Sequence, residues 1–366
     1  MSAPTEDDYA LRSAALPEVA APDLPWRPPE PARPLRIGVI GAGGIVAAHL
    51  GAYRAAGWEV AVICNRTVAK AEAAAAQFYP GARTTASFEE VVADPEVEVV
   101  DITPHPEDRL PMVEAAIRAG KHVLSQKPFV LDLADGERLV EMAEAEGVVL
   151  AVNQNGRWAP HLSYIREAAR AGLLGEVTAL HAAVHWDHGW VAGTPFDAIP
   201  ELILHDFGVH WFDFAASVIG RAETVYATAG RAAGQVAKVP LLASALLRWE
   251  GGQGSLAFGG AVRHGAWDTT YVAGTEGSAR AEGPDLNAQA VTLTTARGWS
   301  RPALSGQWFN DGFRGAMGET MRAAEEGRAP INSARGNLDA LAMSFAALAS
   351  VREGREVRVG EARRFR

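Results

Sequence analysis

A single cysteine, Cys64, stands in 366 residues. That excludes an intrachain disulfide and any zinc site built from several thiolates, and it fits a reducing compartment, so a cytoplasmic location is expected. Basic residues are also short: 34 Lys and Arg against 44 Asp and Glu leave a formal net charge of −10. A general nucleic-acid binder is therefore not expected, because backbone phosphates need a basic surface. No stretch approaches the ~18 uninterrupted apolar residues of a membrane helix. Met1 to Asp8 are acidic with no apolar run behind them, so no secretory signal is expected. What remains is an ordinary globular composition, 48% hydrophobic and 21% charged. At roughly 150 residues per domain its length suggests two domains.

Residues 1–34 stand apart. They carry eight prolines, crowding into Pro25-Trp-Arg-Pro-Pro-Glu-Pro-Ala-Arg-Pro34, which prevents helix and central strand and favours an extended polyproline II arm. Two readings stay open: a disordered tail, or an arm laid on a neighbouring subunit with Trp26 as its anchor. From Leu35 the pattern changes. Strands Leu35–Ile40, Glu59–Cys64, Val97–Ile102, His122–Leu124 and Gly147–Val152 alternate with helices Ile45–Ala56, Thr67–Phe78, Pro111–Ala119 and Leu133–Glu146. A further helix starts at Ser87 with Glu90 three residues on, a capping box. This rhythm specifies right-handed crossovers and an α/β domain over 35–154, a doubly wound parallel sheet with helices on both faces. After about Asn155 it is lost. Helix 160–171, strand Val177–Trp186 and helix Glu201–Ser217 precede strands Ala243–Trp249, Gly254–Phe258, Thr270–Ala273 and Ala290–Thr295, and helices 309–326 and 335–352 close the chain. Residues 155–366 thus read as an α+β domain with a mostly antiparallel sheet.

The turn Gly41-Ala-Gly43-Gly44-Ile45-Val46 lies between the first strand and the first helix, where a dinucleotide's pyrophosphate binds. Gly41 permits the tight turn, and Gly43 lets the backbone approach the phosphates at the positive helix end. Val46 departs from the Gly or Ala preferred there. At the end of the second strand, where a carboxylate would bind the ribose hydroxyls, the chain has Cys64-Asn65-Arg66-Thr67. Arg66 can pair with a 2′-phosphate, or Asn65 can bond a free ribose while Arg66 stacks on adenine. NAD and NADP both remain open, with an electrostatic lean to NADP.

Lys127, in Ser125-Gln-Lys-Pro-Phe129, follows a strand at the carboxyl edge of the expected sheet, where ligands bind. Beside a positive nicotinamide and away from water, its amine would titrate nearer neutrality. Asp206, His210 and Asp213 fall at i, i+4 and i+7 of an expected helix, hence on one side, and an imidazole oriented by a carboxylate is a proton carrier. In His181-Ala-Ala-Val-His185-Trp-Asp-His-Gly-Trp190, strand alternation puts His181, His185 and Asp187 on one face and Trp186 and His188 on the other. Sheet packing, a carbohydrate-binding wall and metal ligation compete for this segment. Arg157 and Trp158, at the domain junction, are further pocket candidates beside His185, Trp186 and His188. Arg263, His264 and Trp267 are weaker ones.

Together these pieces resemble the Gfo/Idh/MocA oxidoreductase family over roughly residues 35–352. The resemblance rests on the glycine turn, Asp101-Ile-Thr-Pro-His105, Gly120-Lys-His-Val-Leu-Ser-Gln-Lys-Pro128, Asn155-Gly-Arg-Trp-Ala-Pro160, Asp206-Phe-Gly-Val-His210 and Gly274-Thr-Glu-Gly277. The family usually has Glu where this chain has Gln126. The resemblance implies a Rossmann domain followed by an α+β domain whose open sheet mediates homo-oligomerisation, as dimer or tetramer. It implies that Lys127, Asp206 and His210 face nicotinamide and substrate, and that Thr103, Pro104, His105 and Gln126 line the cofactor. No metal is implied. The reaction implied is hydride transfer from a secondary alcohol of a sugar, cyclitol or glycoside. His210 would take the hydroxyl proton, Asp206 would orient or share it, and Lys127 would polarise the oxygen. The alternative is a glycosidase with recycled NAD, acting by transient oxidation, elimination and re-reduction. A cofactor sensor without turnover would show a damaged catalytic set, which this chain does not.

Overall fold

A computed structural model describes residues 16–365. Six parallel strands form the first sheet: β1 (Ile37–Ile40), β2 (Val60–Cys64), β3 (Arg83–Thr85), β4 (Val99–Ile102), β5 (His122–Gln126) and β6 (Leu150–Asn153), in the order β3-β2-β1-β4-β5-β6. Helices α1 (Val46–Ala55), α2 (Val68–Phe78), α3 (Phe88–Ala93), α4 (Pro106–Arg118) and α5 (Leu133–Ala145) connect them. The central strands read as apolar runs because both faces are covered: Ile37, Val39, Val99, Val100 and Ile102 are wholly enclosed. Strand order reverses at β1, so the carboxyl ends of β1 and β4 open a crevice.

Three local differences from the sequence reading have physical causes. β3 was not expected, because Arg83-Thr-Thr85 has no apolar run. α4 begins at Pro106 rather than Pro111, since a proline in the first helical turn loses no hydrogen bond. The Ser87 hydroxyl accepts from the Glu90 amide as a cap should, but the Glu90 carboxylate accepts from the Thr85 hydroxyl at 2.6 Å instead of reaching back. The Ser87 amide donates to that same hydroxyl at 3.1 Å, so Thr85 closes the box.

The remaining chain builds α6 (Pro160–Arg170), β7 (Val177–His185), α7 (Val209–Ile219), β8 (Thr224–Gly230), β9 (Leu242–Trp249), β10 (Gly252–Gly259), β11 (Trp267–Gly274), β12 (Gly277–Gly283), β13 (Ala290–Thr295), β14 (Gly298–Ser300), α8 (Trp308–Glu326), α9 (Ala334–Glu353) and β15 (Val357–Arg358). Its nine strands run β14-β13-β12-β11-β7-β10-β9-β8-β15, with only β7 and β10 parallel. α6, α7 and α9 pack on one face. The other face carries exposed Tyr226, Leu246, Trp267 and Tyr271. β12 escaped the sequence reading because Gly, Ser, Ala, Arg and Glu fill it, yet Ala279, Ala281 and Gly283 are buried. The helix expected over Glu201–Ser217 divides into a π-helical turn, Ile203–Phe207, and α7. No described helix is long and apolar enough to cross a membrane.

Two segments tie the sheets together. α8 returns from the second half of the chain to pack on α1, β5 and β6. Small residues permit the approach: a Cβ on Gly315 would lie 2.2 Å from the Trp158 side chain, and one on Gly318 2.4 Å from the Pro29 carbonyl oxygen. The second segment is the proline-rich arm. Its residues 16–34 are not a loose tail; they lie along their own chain, while residues 1–15 fall outside the described residues. The Val19 amide donates to the Trp299 carbonyl (2.8 Å), and the Tyr164 hydroxyl donates to the Pro22 carbonyl (3.1 Å). Ser163 Oγ donates to the Trp26 carbonyl (2.7 Å), Arg314 pairs with Glu30, and Arg33 pairs with Glu98 (2.9 Å). The arm makes one local backbone bond, from the Trp26 amide to the Leu24 carbonyl (2.8 Å), and leaves the carbonyls of Pro22 and Trp26 to α6. Trp26 does serve as the anchor, 4% exposed, in this chain's own core.

Trp26→Ala empties that site and is expected to cost about 3–5 kcal/mol. Thermal denaturation should show a drop of several degrees; an unchanged melting temperature would mean that the arm contributes nothing to the fold.

Candidate active site

The turn after β1 has the shape a pyrophosphate needs. Gly41 sits at φ +101°, and a Cβ there would lie 2.3 Å from Thr103 Oγ1, so glycine is required. A Cβ on Gly43 or Gly44 would meet no atom within 4 Å, which leaves open space above the turn. α1 begins without a side-chain cap after Ile45 and without an acid in its first turn, so its amides stay available to an anion. These features fit a dinucleotide. Thr103 Oγ1 donates to the carbonyls of Ile40 (3.2 Å) and Gly41 (3.1 Å), fixing the turn from β4. Asn65 is placed differently from the ribose reading: its Oδ1 accepts from the Ala42 amide and its Nδ2 donates to the Thr67 carbonyl, both at 3.0 Å. It braces the turn. Arg66 next to it is exposed at the end of β2.

Beneath the turn lies a buried polar chain that no sequence signal disclosed. His49 Nδ1 is 2.7 Å from Asp101 Oδ2, to which the Tyr53 hydroxyl also donates at 2.8 Å. Gln126 Nε2 and Asn153 Nδ2 lie 3.3 and 3.2 Å from His49 Nε2. The Lys127 amide donates to Gln126 Oε1 (2.7 Å), so Gln126 must present its NH2 to the ring. His49 Nε2 is then an acceptor, and its proton sits on Nδ1 facing Asp101. Side-chain bonds thereby connect the helix behind the phosphate turn to the backbone of Lys127. Arg109, also unforeseen, is fully buried and donates to the carbonyls of Pro104 (2.7 Å), Gln126 and Pro128 (2.6 Å). It clamps the loops after β4 and β5 together, and burial pulls its guanidinium down to about 9 despite Glu107 and Asp101.

The loops and the π-helical turn enclose a cleft of about 530 Å³. Ile45, Thr103, Pro104, His105, Gln126 and Lys127 line it from the first half of the chain, and Trp186, His188, His205, Asp206 and His210 from the second. Lys127 Nζ donates to the Asp206 carbonyl (2.9 Å) and to Asp206 Oδ1 (3.1 Å). Burial would raise the Asp206 carboxyl, but the charge and hydrogen bond of Lys127, aided by His205 and His210, outweigh it and hold the group below its ordinary value. His210 stands edge-on to Trp308, ring centroids 5.6 Å apart. Burial, reinforced by Lys127 and opposed by Asp206, pushes its imidazole down to about 3. Burial likewise takes His188 and His205 to about 4. Nδ1 of each of these three rings is buried without a partner among the described residues. The cleft therefore presents neutral imidazoles beside a carboxylate–ammonium pair.

Some candidates fall elsewhere. Arg157 donates to both Asp213 oxygens (2.6 and 2.8 Å) and to the Ile331 carbonyl, so this guanidinium and Asp213 are spent on each other away from the cleft. Asp213 lies one turn beyond His210 on α7, where Arg157 and the Asn337 amide hold its carboxylate. Trp158 is sealed under α8, 2% exposed. His185 lies on the outward face of β7, against Gly259, as strand alternation requires once Trp186 and His188 point inward. Residues the sequence reading left unassigned also reach the cleft: Trp190, Trp211, Trp308, Phe309 and Phe365. Phe365 stacks on His205 at 3.7 Å, brought there because its amide donates to the Leu131 carbonyl (2.9 Å) and Arg364 pairs with Asp132 (2.6 Å). A second hollow of about 580 Å³, lined by His122, Glu144, Arg328 and Arg335, holds none of these groups.

Comparison with known proteins gives two family matches. Residues 35–154 match an oxidoreductase family with an NAD-binding Rossmann fold, Gfo/Idh/MocA, and residues 162–280 match the Gfo/Idh/MocA C-terminal domain. The chain is 27% identical over 341 residues to a D-apiose dehydrogenase of Paraburkholderia graminis, covering 87% of this chain and 88% of that protein. It is 25% identical to an inositol 2-dehydrogenase of Rhizobium meliloti, covering 89% and 99% respectively. A levoglucosan dehydrogenase solved with NADH and levoglucosan shares the fold, with a TM-score of 0.76 at 20% identity, over 90% of this chain and 100% of that one.

Two outcomes follow from the electrostatics. His161, His188, His205 and His210 titrate at about 3 to 4 in the folded protein, below the ~6.5 of an unfolded chain. Between those values the unfolded state binds more protons, so stability is lost as pH falls below about 6.5. The melting temperature should drop on acidification, and His210→Gln should flatten that slope; parallel slopes would contradict the assignment. Gln126→Glu replaces the NH2 that His49 Nε2 accepts from with a second acceptor. Its melting temperature should fall, and an unchanged value would refute the proton placement.

Proposed function

The chain belongs to the Gfo/Idh/MocA family of oxidoreductases, and on that premise we propose that it oxidises a secondary hydroxyl of a sugar, cyclitol or glycoside with NAD. One observation carries the proposal: Lys127, Asp206 and His210, distant in the chain, line the same cleft next to the glycine turn. The dehydrogenases of apiose, inositol and levoglucosan among its relatives support a small polyhydroxylated substrate.

NAD, when bound, supplies the carbon that accepts hydride. The chain's own residues do the rest. The amides of Gly43, Gly44 and Ile45 bind the pyrophosphate at the start of α1, while Thr103, Pro104 and His105 border the nucleotide. Gln126 holds the Lys127 backbone through its amide oxygen. The Lys127 ammonium hydrogen-bonds the reacting oxygen while anchored to Asp206, and so positions the hydroxyl carbon. His210, neutral because it is buried, takes the hydroxyl proton on a ring nitrogen, and the Asp206 carboxylate stabilises the imidazolium that results. Trp186 and His188 border the substrate. Arg66, exposed after β2, would meet the adenosine ribose, or pair with the 2′-phosphate if the nucleotide were NADP.

The same proton handling would serve a redox-neutral glycosidase, and the two differ in whether reduced nicotinamide accumulates. The open face of the second sheet, with exposed Tyr226, Leu246, Trp267 and Tyr271, suits self-association as dimer or tetramer.

Purified protein with NAD and a panel of sugars, cyclitols and glycosides should yield reduced-nicotinamide absorbance with at least one member. His210→Asn should lower kcat/KM by about 10²–10⁴-fold, and Lys127→Met should do likewise, with NAD affinity little changed. Aglycone release without absorbance change would select the glycosidase. No turnover of any panel member, or full activity in His210→Asn, would count against the proposal.

A further inference from the structure

Polar and apolar groups are unevenly shared along the cleft. Among its lining residues from the second domain, Asp206 is the one carboxylate and Asn155, against Gly312 of α8, the one amide, and none is Ser, Thr, Gln, Lys or Arg. Each hydroxyl of a free polyol gives up water on entering and needs a partner in return. Partners exist around Lys127, Asp206, His205, His210 and His188, enough for one hydroxylated ring. The rest of this wall is Trp190, Phe196, Ile199, Phe207 and Leu286, while Phe309 stacks on Phe313 toward His49 and the glycine turn. Trp190 packs edge-to-face on Phe196 (5.5 Å) and Phe207 (6.4 Å), which fixes its indole. Yet that indole is 54% exposed, so aromatic surface stands in water within the same cleft as Lys127 and His210. Water gains from its covering by an apolar group. A second sugar ring would stack on one such ring but would leave its hydroxyls without partners here.

We propose that this wall is an aglycone subsite, and that the substrate is a glycoside whose sugar ring sits at Lys127 and His210 while an aryl or similarly flat apolar group lies against Trp190. The proposal rests on the oxidoreductase reading for the sugar end alone, because the subsite itself is read from the apolar wall.

The test measures binding and turnover separately. Isothermal titration calorimetry in the presence of NAD compares methyl and phenyl glycosides of glucose, galactose, mannose and xylose. The phenyl member of at least one pair should bind about tenfold tighter or more, the return for covering an aryl face. Trp190→Ala should reduce that phenyl-to-methyl ratio several-fold, and Trp190→Phe should keep most of it. Equal affinity within every pair, no binding of any member, or a ratio unchanged in Trp190→Ala overturns the subsite. Reduced-nicotinamide absorbance and phenol release are followed with the same compounds. A phenyl preference with neither signal leaves the subsite standing and sinks the oxidoreductase reading; oxidation without any phenyl preference does the reverse.

Discussion

The ion pair between Lys127 and Asp206 is the contact on which the arrangement of the cleft depends. It joins the loop after β5, part of the nucleotide-binding layer, to the π-helical turn that leads into α7. Neither charge is deeply buried alone; each keeps about a fifth of its side-chain surface, 18% and 20%. Their value lies less in stability than in placement, since partly exposed pairs contribute little free energy. The pair sets an ammonium and a carboxylate beside a histidine that burial keeps neutral. Without Asp206 the nearby Lys127 charge would depress His210 unopposed, and without Lys127 burial would raise the Asp206 carboxyl.

The rest of the molecule keeps that junction in register. Arg109 gathers carbonyls from two loops, and the chain from Asp101 through His49 to Gln126 ties the phosphate turn to Lys127. Within the second domain Arg157 and Asp213 form a more enclosed pair at the junction, further fastened by Asn337. Breaking one partner of such a buried pair strands the other charge, at about 3–5 kcal/mol. The proline-rich arm and α8 cross from one layer to the other on the outside, and the carboxy-terminal strand of residues brings Phe365 onto His205.

Much of this was legible early. The parallel sheet and the glycine turn follow from apolar runs and glycine spacing, whereas the meeting of Lys127, Asp206 and His210 in one cleft was an implication of the family resemblance. Trp186 and His188 were separable from His185 by strand alternation alone. Arg157 and Trp158 were misjudged because nearness to a domain junction in sequence does not tell a pocket wall from a packing contact. Asp213 was misjudged because helical spacing places a residue on a side of its helix but does not show that Arg157 and Asn337 pack against it there. β12 and β3 were invisible for want of apolar residues.

The sequence alone determined the local chemistry: which segments are strands or helices, where a backbone can bend around phosphates, and which side chains can carry protons. Those follow from short-range sterics and from the period of apolar residues. Only the tertiary structure decided which carriers meet, that the arm folds back on its own chain, and that an aromatic wall adjoins the reaction site. Such contacts join residues far apart in the chain, and they are selected by burial and by the pairing of polar groups, neither of which leaves a periodic trace in the order of amino acids.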